Sequence, residues 1–360
     1  AVCYTSGTTG NPKGVVYSHK TTYLHAIASR ASDTFGICET DRLLLVPPMF
    51  HANSWGMPYS GWFSGSDLIM PGPFLQAASL VQLIGKERPT FSAMVPTILG
   101  DLLQAPAESL DMSCFRALVS GGAAVSPAMI VALNERWGVP LLQGWGMTET
   151  SPMCVLSHPP KYRDGRPDSY WRARSGRPVP GIEVKAVDRE GQPVPRDGTT
   201  VGELQLRGPR VTGGYHGIAA QDSFTPDGWL RTGDVGHIDA RGFVQLTDRT
   251  KDVIKSGGEW ISSVDLENAL VAHPDVIEAA VIAVADERWQ ERPLAIVVRR
   301  QPGLDPTELR EFLSSRVARF WIPENWAFVE QIEKTSVGKL DKKRLREQRD
   351  ANAFDIVRAS

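Results

Sequence analysis

The segment Tyr4-Thr5-Ser6-Gly7-Thr8-Thr9-Gly10-Asn11-Pro12-Lys13-Gly14 concentrates more chemical potential than any other stretch of this 360-residue chain. Its glycines, Gly7, Gly10 and Gly14, permit a tight loop whose backbone N–H groups turn inward on an anion. The hydroxyls of Thr5, Ser6, Thr8 and Thr9 and the ammonium of Lys13 add donors and positive charge. That is the equipment of a phosphate site. The spacing is not the G-x-x-x-x-G-K-[ST] of P-loop NTPases, because Lys13 follows Pro12 and precedes Gly14. The plainer reading of such a Gly/Ser/Thr cluster is a flexible loop.

Three later segments supply what a phosphate loop lacks. Gln143-Gly144-Trp145-Gly146-Met147-Thr148-Glu149-Thr150 follows the strand pattern Pro140–Leu142, so it sits at the carboxyl end of a strand, where open α/β sheets bind ligands. Glu149 offers a hard oxygen for Mg²⁺ and Thr148 a hydroxyl for phosphate. Trp229-Leu230-Arg231-Thr232-Gly233-Asp234 sets a carboxylate where it can take two ribose hydroxyls. Lys334-Thr335-Ser336-Val337-Gly338-Lys339 puts a lysine on a glycine-containing turn. Each segment has a plainer reading: Glu149 as a surface charge, Asp234 as a turn residue, Lys339 as a solvated cation.

The elements that must position these groups change character along the chain. Strand patterns at Leu43–Val46, Asp67–Met70, Thr90–Val95, Phe115–Val119 and Pro140–Leu142 alternate with helical stretches. The clearest helix runs from Ser126 to Trp137, with a serine N-cap, Pro127 at the first helical position and Gly138 past the end. Such alternation predicts a mostly parallel sheet covered by helices on both faces. Gly181–Val187, Val201–Arg207 and Gly242–Leu246 alternate apolar and polar residues, which predicts antiparallel sheet. Beyond a polar boundary at Asp248–Asp252, a small α+β unit is expected: helix Ser263–Ala272, strands Ala279–Val284 and Leu294–Val298, helix Pro306–Phe320. The run Lys342-Lys343-Arg344-Leu345-Arg346 is read as a solvated helix end. The chain opens on a strand-like Ala1-Val2-Cys3-Tyr4 without a leader, and a strand needs neighbours, so upstream sequence is expected.

Composition limits the function classes. Lys plus Arg number 39 against 41 Asp plus Glu, a net charge of −2, which argues against a dedicated nucleic-acid binder. No apolar run approaches the ~20 residues of a membrane span. Cys3, Cys38, Cys114 and Cys154 form no C-x-x-C pair and are expected as buried free thiols in a reducing cytoplasm. The histidines show no zinc-ligand spacing.

Together, and in this order, the four segments resemble the adenylate-forming superfamily of acyl-CoA synthetases, luciferases and peptide-synthetase adenylation domains, from Tyr4 to about Arg346. Lys255-Ser256-Gly257-Gly258-Glu259-Trp260-Ile261-Ser262-Ser263-Val264-Asp265-Leu266-Glu267 and Pro47-Pro48-Met49-Phe50-His51-Ala52-Asn53-Ser54-Trp55 look like its medium- and long-chain fatty-acyl-CoA synthetase branch. The resemblance implies an α/β fold: a large AMP-binding domain over residues 1–248 without its N-terminal part, comprising a mostly parallel sheet and a β-rich subdomain. A hinge at 249–251 and a small α+β domain at 252–360 follow.

The resemblance also implies roles. Thr5 and Glu149 match the positions that hold Mg²⁺ against ATP. Ser6, Gly7, Thr8, Thr9, Gly10 and Lys13 match the phosphate loop. Gly122 and Ala123, with Gly144, Trp145, Gly146, Met147 and Thr148, border the nucleotide. Asp234 corresponds to the ribose-binding aspartate and Arg249 to an arginine that reaches the nucleotide. Lys251 falls at the hinge, and Lys339 matches the lysine of adenylation, although Glu333 stands where a proline commonly precedes that motif's first lysine. Trp55, with His51, resembles an aromatic gate to the acyl pocket, and Ser256, Gly257, Gly258 and Glu259 form the CoA-side loop. The implied substrates are a fatty acid, ATP and CoA, in a cytoplasmic enzyme with no integral membrane segment and a homodimer left open. An aryl- or short-chain-acid CoA ligase and, from another class, a non-catalytic nucleotide-binding module are the alternatives.

Overall fold

The computed structural model describes residues 1–5, 12–188, 190–219, 221–257, 259–335 and 340–359, excepting the side chains of Ala107 and Gln221. The chain divides into two compact units, the first comprising Ala1–Thr232 and Gly236–Leu246, the second Gly233–Val235 and Thr247–Ser360.

In the first unit, β1 (Val2–Tyr4) pairs antiparallel with β2 (Gly14–Val16), Val2 opposite Val16 and Tyr4 opposite Gly14. The pairing brings Thr5 opposite Lys13, and β2 is a return strand the sequence reading does not contain. The main sheet holds β3 (Arg42–Leu44), β4 (Asp67–Ile69), β5 (Phe91–Met94), β6 (Ala117–Ser120), β7 (Leu141–Gly146), β8 (Met153–Leu156) and β9 (Arg177–Pro178). Their order is β4-β3-β5-β6-β7-β8-β9, parallel as far as β7 and antiparallel beyond it.

Successive strand residues serve opposite faces. Leu43, Phe91, Val119 and Leu142 enter one apolar core, while Leu44, Met94, Leu118 and Leu141 enter another with Leu80, Ile84, Ile130 and Leu133 from flanking helices. Burial on both faces is why these strands are near-continuously apolar rather than alternating. The helix Pro127–Trp137 forms as its caps require: Ser126 accepts from the Met129 N–H, and Gly138 closes the end at φ +66°.

The β-rich part is a sheet ordered β10 (Glu183–Val187), β11 (Gly202–Arg207), β12 (Leu230–Ile238) and β13 (Val244–Arg249). Glu183 pairs with Arg207 across the antiparallel β10 and β11.

The second unit is built on β14 (Ile254–Ser256), β15 (Glu259–Ile261), β16 (Val276–Asp286), β17 (Gln290–Arg299), β18 (Asn325–Phe328) and β19 (Val357–Arg358). The order is β15-β14-β17-β18-β19, with β16 also on β17. The helix Ser263–Val271 shares one core with Val281 and Val297, and Leu345 from the helix Lys342–Asp350 shares another with Ile282 and Ile296. The helix expected over Pro306–Phe320 stops at Ser314, because its inward residues Leu309 and Leu313 are already buried and Ala318 is extended before a short 3₁₀ turn. Two further expectations are corrected. Cys38 is exposed rather than buried, and the Lys342 side chain is only 12 % exposed rather than solvated, since Glu267 and Ser263 give it partners. No helix among the described residues is long and apolar enough to cross a membrane.

Candidate active site

The hairpin that carries the phosphate loop is closed at its base by two bonds. The Thr5 N–H donates to the Lys13 carbonyl at 2.9 Å, and the Lys13 N–H donates to Thr5 Oγ1 at 3.3 Å. Thr5 keeps a second lone pair on its hydroxyl for a cation. Ser6, Gly7, Thr8, Thr9 and Gly10 lie outside the described residues.

Lys13 Nζ stands 4.9 Å from the centre of the Tyr215 ring, a cation–π distance. The Tyr215 hydroxyl donates to Glu149 Oε1 at 2.8 Å, and the Thr212 N–H donates to the Glu149 carbonyl at 2.7 Å. The His216 N–H bonds to the Gly14 carbonyl at 2.8 Å, tying this segment to β2. Tyr17, on the other side of β2, donates its hydroxyl to the Thr148 carbonyl at 2.7 Å. Two tyrosines therefore clamp the phosphate hairpin against the Thr148–Glu149 turn. Burial first, then the nearby Glu149 charge, raises the Tyr215 pKa, so the phenol stays a donor. Burial likewise raises that of Tyr17.

Glu149 is not a surface charge but only 7 % exposed, three residues past the carboxyl end of β7. Gly146 is required there, because a Cβ would lie 2.1 Å from the Pro152 carbonyl oxygen. Trp145 is buried, Gly144 and Met147 are half-buried, and the Met147 N–H bonds to Thr150 Oγ1 at 3.1 Å. Gly122, at φ +81°, and Ala123 are exposed beyond the end of β6. Thr5 and Glu149 suit Mg²⁺: hard oxygens, few in number, as expected where phosphates and water complete the shell. No group of three or more His, Cys, Asp or Glu that could hold a metal occurs among the described residues.

Past the end of β3, Ala52, Asn53, Ser54 and Trp55 all adopt left-handed φ values of 46–54°. Such a run is costly for residues with a Cβ, and strain of this kind gathers at functional sites. His51 opens the turn and Gly56 ends it; a Cβ on Gly56 would lie 2.4 Å from the His25 ring. The Trp55 ring reaches 3.4 Å from the Cβ position of Gly121, so the gate candidate borders the β6 end of the nucleotide region.

The second unit carries the other candidates. Asp234, 5 % exposed, pairs with Arg249 at 3.2 Å. Lys251 is exposed. Ser256 accepts from Arg292 Nη1 at 3.2 Å, pairs across β14 and β15 with Glu259, and the Gly257 N–H donates to the Trp289 carbonyl at 2.8 Å. Gly258 and Lys339 lie outside the described residues. Sequence reading misses Tyr17 and Tyr215, because a lone tyrosine far from its partner in the chain, 66 residues for Tyr215 and Glu149, leaves no local pattern.

Residues 1–216 match the family model for AMP-binding enzymes, and residues 265–339 match that for the AMP-binding enzyme C-terminal domain. The chain is 46 % identical over 356 residues to a long-chain-fatty-acid–CoA ligase of Thermus thermophilus, covering 96 % of this chain and 65 % of that protein. It is 44 % identical over 355 residues to a medium-chain-fatty-acid–CoA ligase of Ectopseudomonas oleovorans, covering 97 % and 64 %. The crystal structure of the anthranilate CoA ligase AuaEII with anthranoyl-AMP superposes at a TM-score of 0.87 and 29 % identity, covering 98 % of this chain and 67 % of that one. The chain thus spans slightly less than two thirds of the length of these curated relatives.

Proposed function

This chain belongs to the AMP-binding enzyme family, and from that premise we propose that the protein is a fatty-acid–CoA ligase for medium- or long-chain acids. The observation that carries the proposal is the buried Glu149, clamped by Tyr215 to the hairpin of Thr5 and Lys13 at the carboxyl end of a parallel strand. The likeness to relatives described as long- and medium-chain ligases supports the acyl class.

In the first half-reaction, a carboxylate oxygen of the acid attacks the α-phosphorus of ATP. The O–P bond of the acyl-adenylate forms and pyrophosphate leaves. In the second, the sulfur of CoA attacks the acyl carbonyl, giving a thioester and AMP, with the thiol proton passing to solvent. Neither step needs a protein nucleophile; the demand is for preorganised positive charge where anions meet. Thr5 and Glu149 would hold Mg²⁺, which when bound supplies part of that charge. Lys13 steadies the phosphate hairpin on Tyr215. Asp234 and Arg249 are assigned to the nucleotide, Gly122, Ala123, Gly144 and Trp145 to adenine, and Lys339 to the adenylation step. Lys251 is assigned as the pivot that exchanges Lys339 for the Ser256–Glu259 loop between half-reactions, a conformational answer to two chemistries. We extend the reading to a cytoplasmic enzyme, checked by cell fractionation, and to a homodimer, checked by light scattering.

Acid-dependent ATP–pyrophosphate exchange tests the proposal in the full-length protein, with butyrate, octanoate, palmitate and cinnamate as acids. Exchange that rises with aliphatic length is expected. A preference for cinnamate or butyrate would move the enzyme to the aryl or short-chain class, and no exchange with intact ATP binding would make it a nucleotide-binding module.

A further inference from the structure

A cavity of about 760 Å³ opens in the first unit, lined by residues of β8, β9, β10, β12 and β13. None of the residues assigned above to ATP, the acid or CoA lines it. Its volume lies in the range of small-molecule sites. The floor is aliphatic: Leu156, Val179, Ile182, Val184 and Ile238 are all buried. Pro178, Pro180 and Pro193 stiffen the wall, so its shape is largely set in advance.

Positive charge gathers at the rim. Arg177, Lys185, Arg196 and Arg241 line the cavity against Asp33 and Glu183, in a chain whose net charge is −2. Glu183 is taken by Arg207 at 2.8 Å, while Lys185 and Arg241 have carboxylates in Asp227 and Asp164. Arg177 and Arg196 have no carboxylate among the described residues. The Arg177 guanidinium lies over the Phe243 ring at 5.0 Å, and Arg196 Nη2 donates to the Val184 carbonyl at 3.4 Å. Both are exposed, so their remaining donors face outward. Asp33 is the one lining carboxylate left without a cation among the described residues. Trp229, also in the lining, holds Lys185 at 4.4 Å and Arg207 at 4.6 Å from its ring centre, so cations occupy the ring that a nucleobase would need.

We propose that this cavity is a second acyl-anion site, which takes an aliphatic chain on its floor and a carboxylate or phosphate head on Arg177 and Arg196. The inference stands apart from the ligase reading, since it shares no residue with that site and binding requires no turnover. A bare anion gains little at exposed guanidiniums. An aliphatic chain adds roughly fourfold in affinity for each methylene it buries. A guanidinium holds either head through parallel N–H···O bonds. A free fatty acid and an acyl-CoA share this chemistry and differ in the head.

The test is isothermal titration of the full-length protein after its active site has been saturated with a non-hydrolysable decanoyl-adenylate. Decanoate and decanoyl-CoA are titrated separately. Decyltrimethylammonium keeps the chain without the negative charge; pyrophosphate and free CoA keep the charge without the chain. One further equivalent of decanoate or decanoyl-CoA is expected to bind, about tenfold or more tighter than any of these three. The tighter of the two identifies the head that the site takes. The double variant Arg177→Gln, Arg196→Gln is expected to lose about tenfold or more of that affinity while binding the adenylate analogue as wild type does. Three results would overturn the site: no binding of either ligand beyond the blocked active site, equal affinity for decyltrimethylammonium, or an unchanged affinity in the double variant. Failure of the analogue itself to bind would sink the ligase reading alone, and the same titrations of the unblocked protein would then judge the cavity by the same criteria.

Discussion

Lys342 in the second unit and Arg210 in the first are both cations taken out of water, and the chain treats them oppositely. Lys342 Nζ lies 2.7 Å from Glu267 Oε1 and 2.5 Å from Ser263 Oγ. Ser263 in turn donates its N–H and its hydroxyl to Asp248 Oδ2, each at 2.6 Å, and the Val281 N–H donates to Glu267 Oε1 at 2.8 Å. Glu267 and Asp248 hold the Lys342 pKa above its ordinary value in spite of burial. The Arg210 guanidinium has no hydrogen-bond partner among the described residues. The completed network fastens a strand, a helix and a chain end together. Burial alone therefore does not tell a paired charge from an unpaired one. The inventory of partners does.

The sharpest way to break this contrast is Lys342→Met. The variant leaves Glu267 and Asp248 buried without a counter-charge, and breaking such a pair costs about 3–5 kcal/mol. Urea unfolding of the wild type and variant measures the loss, and Lys342→Met combined with Glu267→Gln should recover a large part of it. A loss below about 1 kcal/mol would mean that the network is no fastening. Arg210→Leu removes a buried charge that is unpartnered among the described residues and should, by contrast, raise stability in the same urea measurement.

A smaller effect tests the same network by pH. Burial raises the Glu267 pKa from an ordinary 4.5 to about 7, with Lys342 opposing. Between those values the folded chain holds a proton that the unfolded chain has released. Stability therefore falls as pH rises from about 4.5 to about 7 and levels off above, with a total on the order of 3 kcal/mol. Burial also raises the Asp248 pKa, which extends the slope at its acidic end. The Lys342 contribution is present throughout this window, because its raised pKa is lost only at alkaline pH. Stability measured from pH 4 to pH 8 should show the slope in wild type and a flatter one in Glu267→Gln. Equal slopes would remove Glu267 from the account.

The fold was legible where its signals are local. Ser126, Pro127 and Gly138 mark a helix by caps alone, and the apolar runs from Leu43 to Leu142 announce strands buried on two faces. Motif residues were legible because phosphate chemistry demands particular types at particular spacings, so Thr5, Lys13 and Glu149 could be chosen before any coordinates. What stayed hidden depends on distant partners. Lys342 reads as one member of a basic run until Glu267, far earlier in the chain, is seen to meet it. Arg210 reads as a surface arginine after a Gly-Pro turn, and nothing in its neighbours announces burial. The left-handed turn at Ala52–Trp55 is equally silent, since none of its four residues is a glycine.

Tyr215 lies between the two extremes, a hydroxyl paired with a carboxylate that must itself stay available to a cation. Its O–H takes one oxygen of Glu149 at 2.8 Å, and the phenol cannot ionise near neutrality because burial and the Glu149 charge raise its pKa. The hydroxyl thus orients the carboxylate without neutralising it. Tyr215→Phe keeps the ring under Lys13 and removes that one bond. Partners of this kind behind a metal-binding oxygen are worth about tenfold in metal affinity. The concentration of Mg²⁺ needed for half-maximal exchange should therefore rise about tenfold, about 1.4 kcal/mol, while exchange at saturating Mg²⁺ stays as in wild type. Isothermal titration of Mg²⁺ with the protein and a non-hydrolysable ATP analogue gives the same quantity without turnover. If Mg²⁺ dependence is unchanged but the melting temperature falls, Tyr215 serves the packing of the hairpin and not the orientation of Glu149.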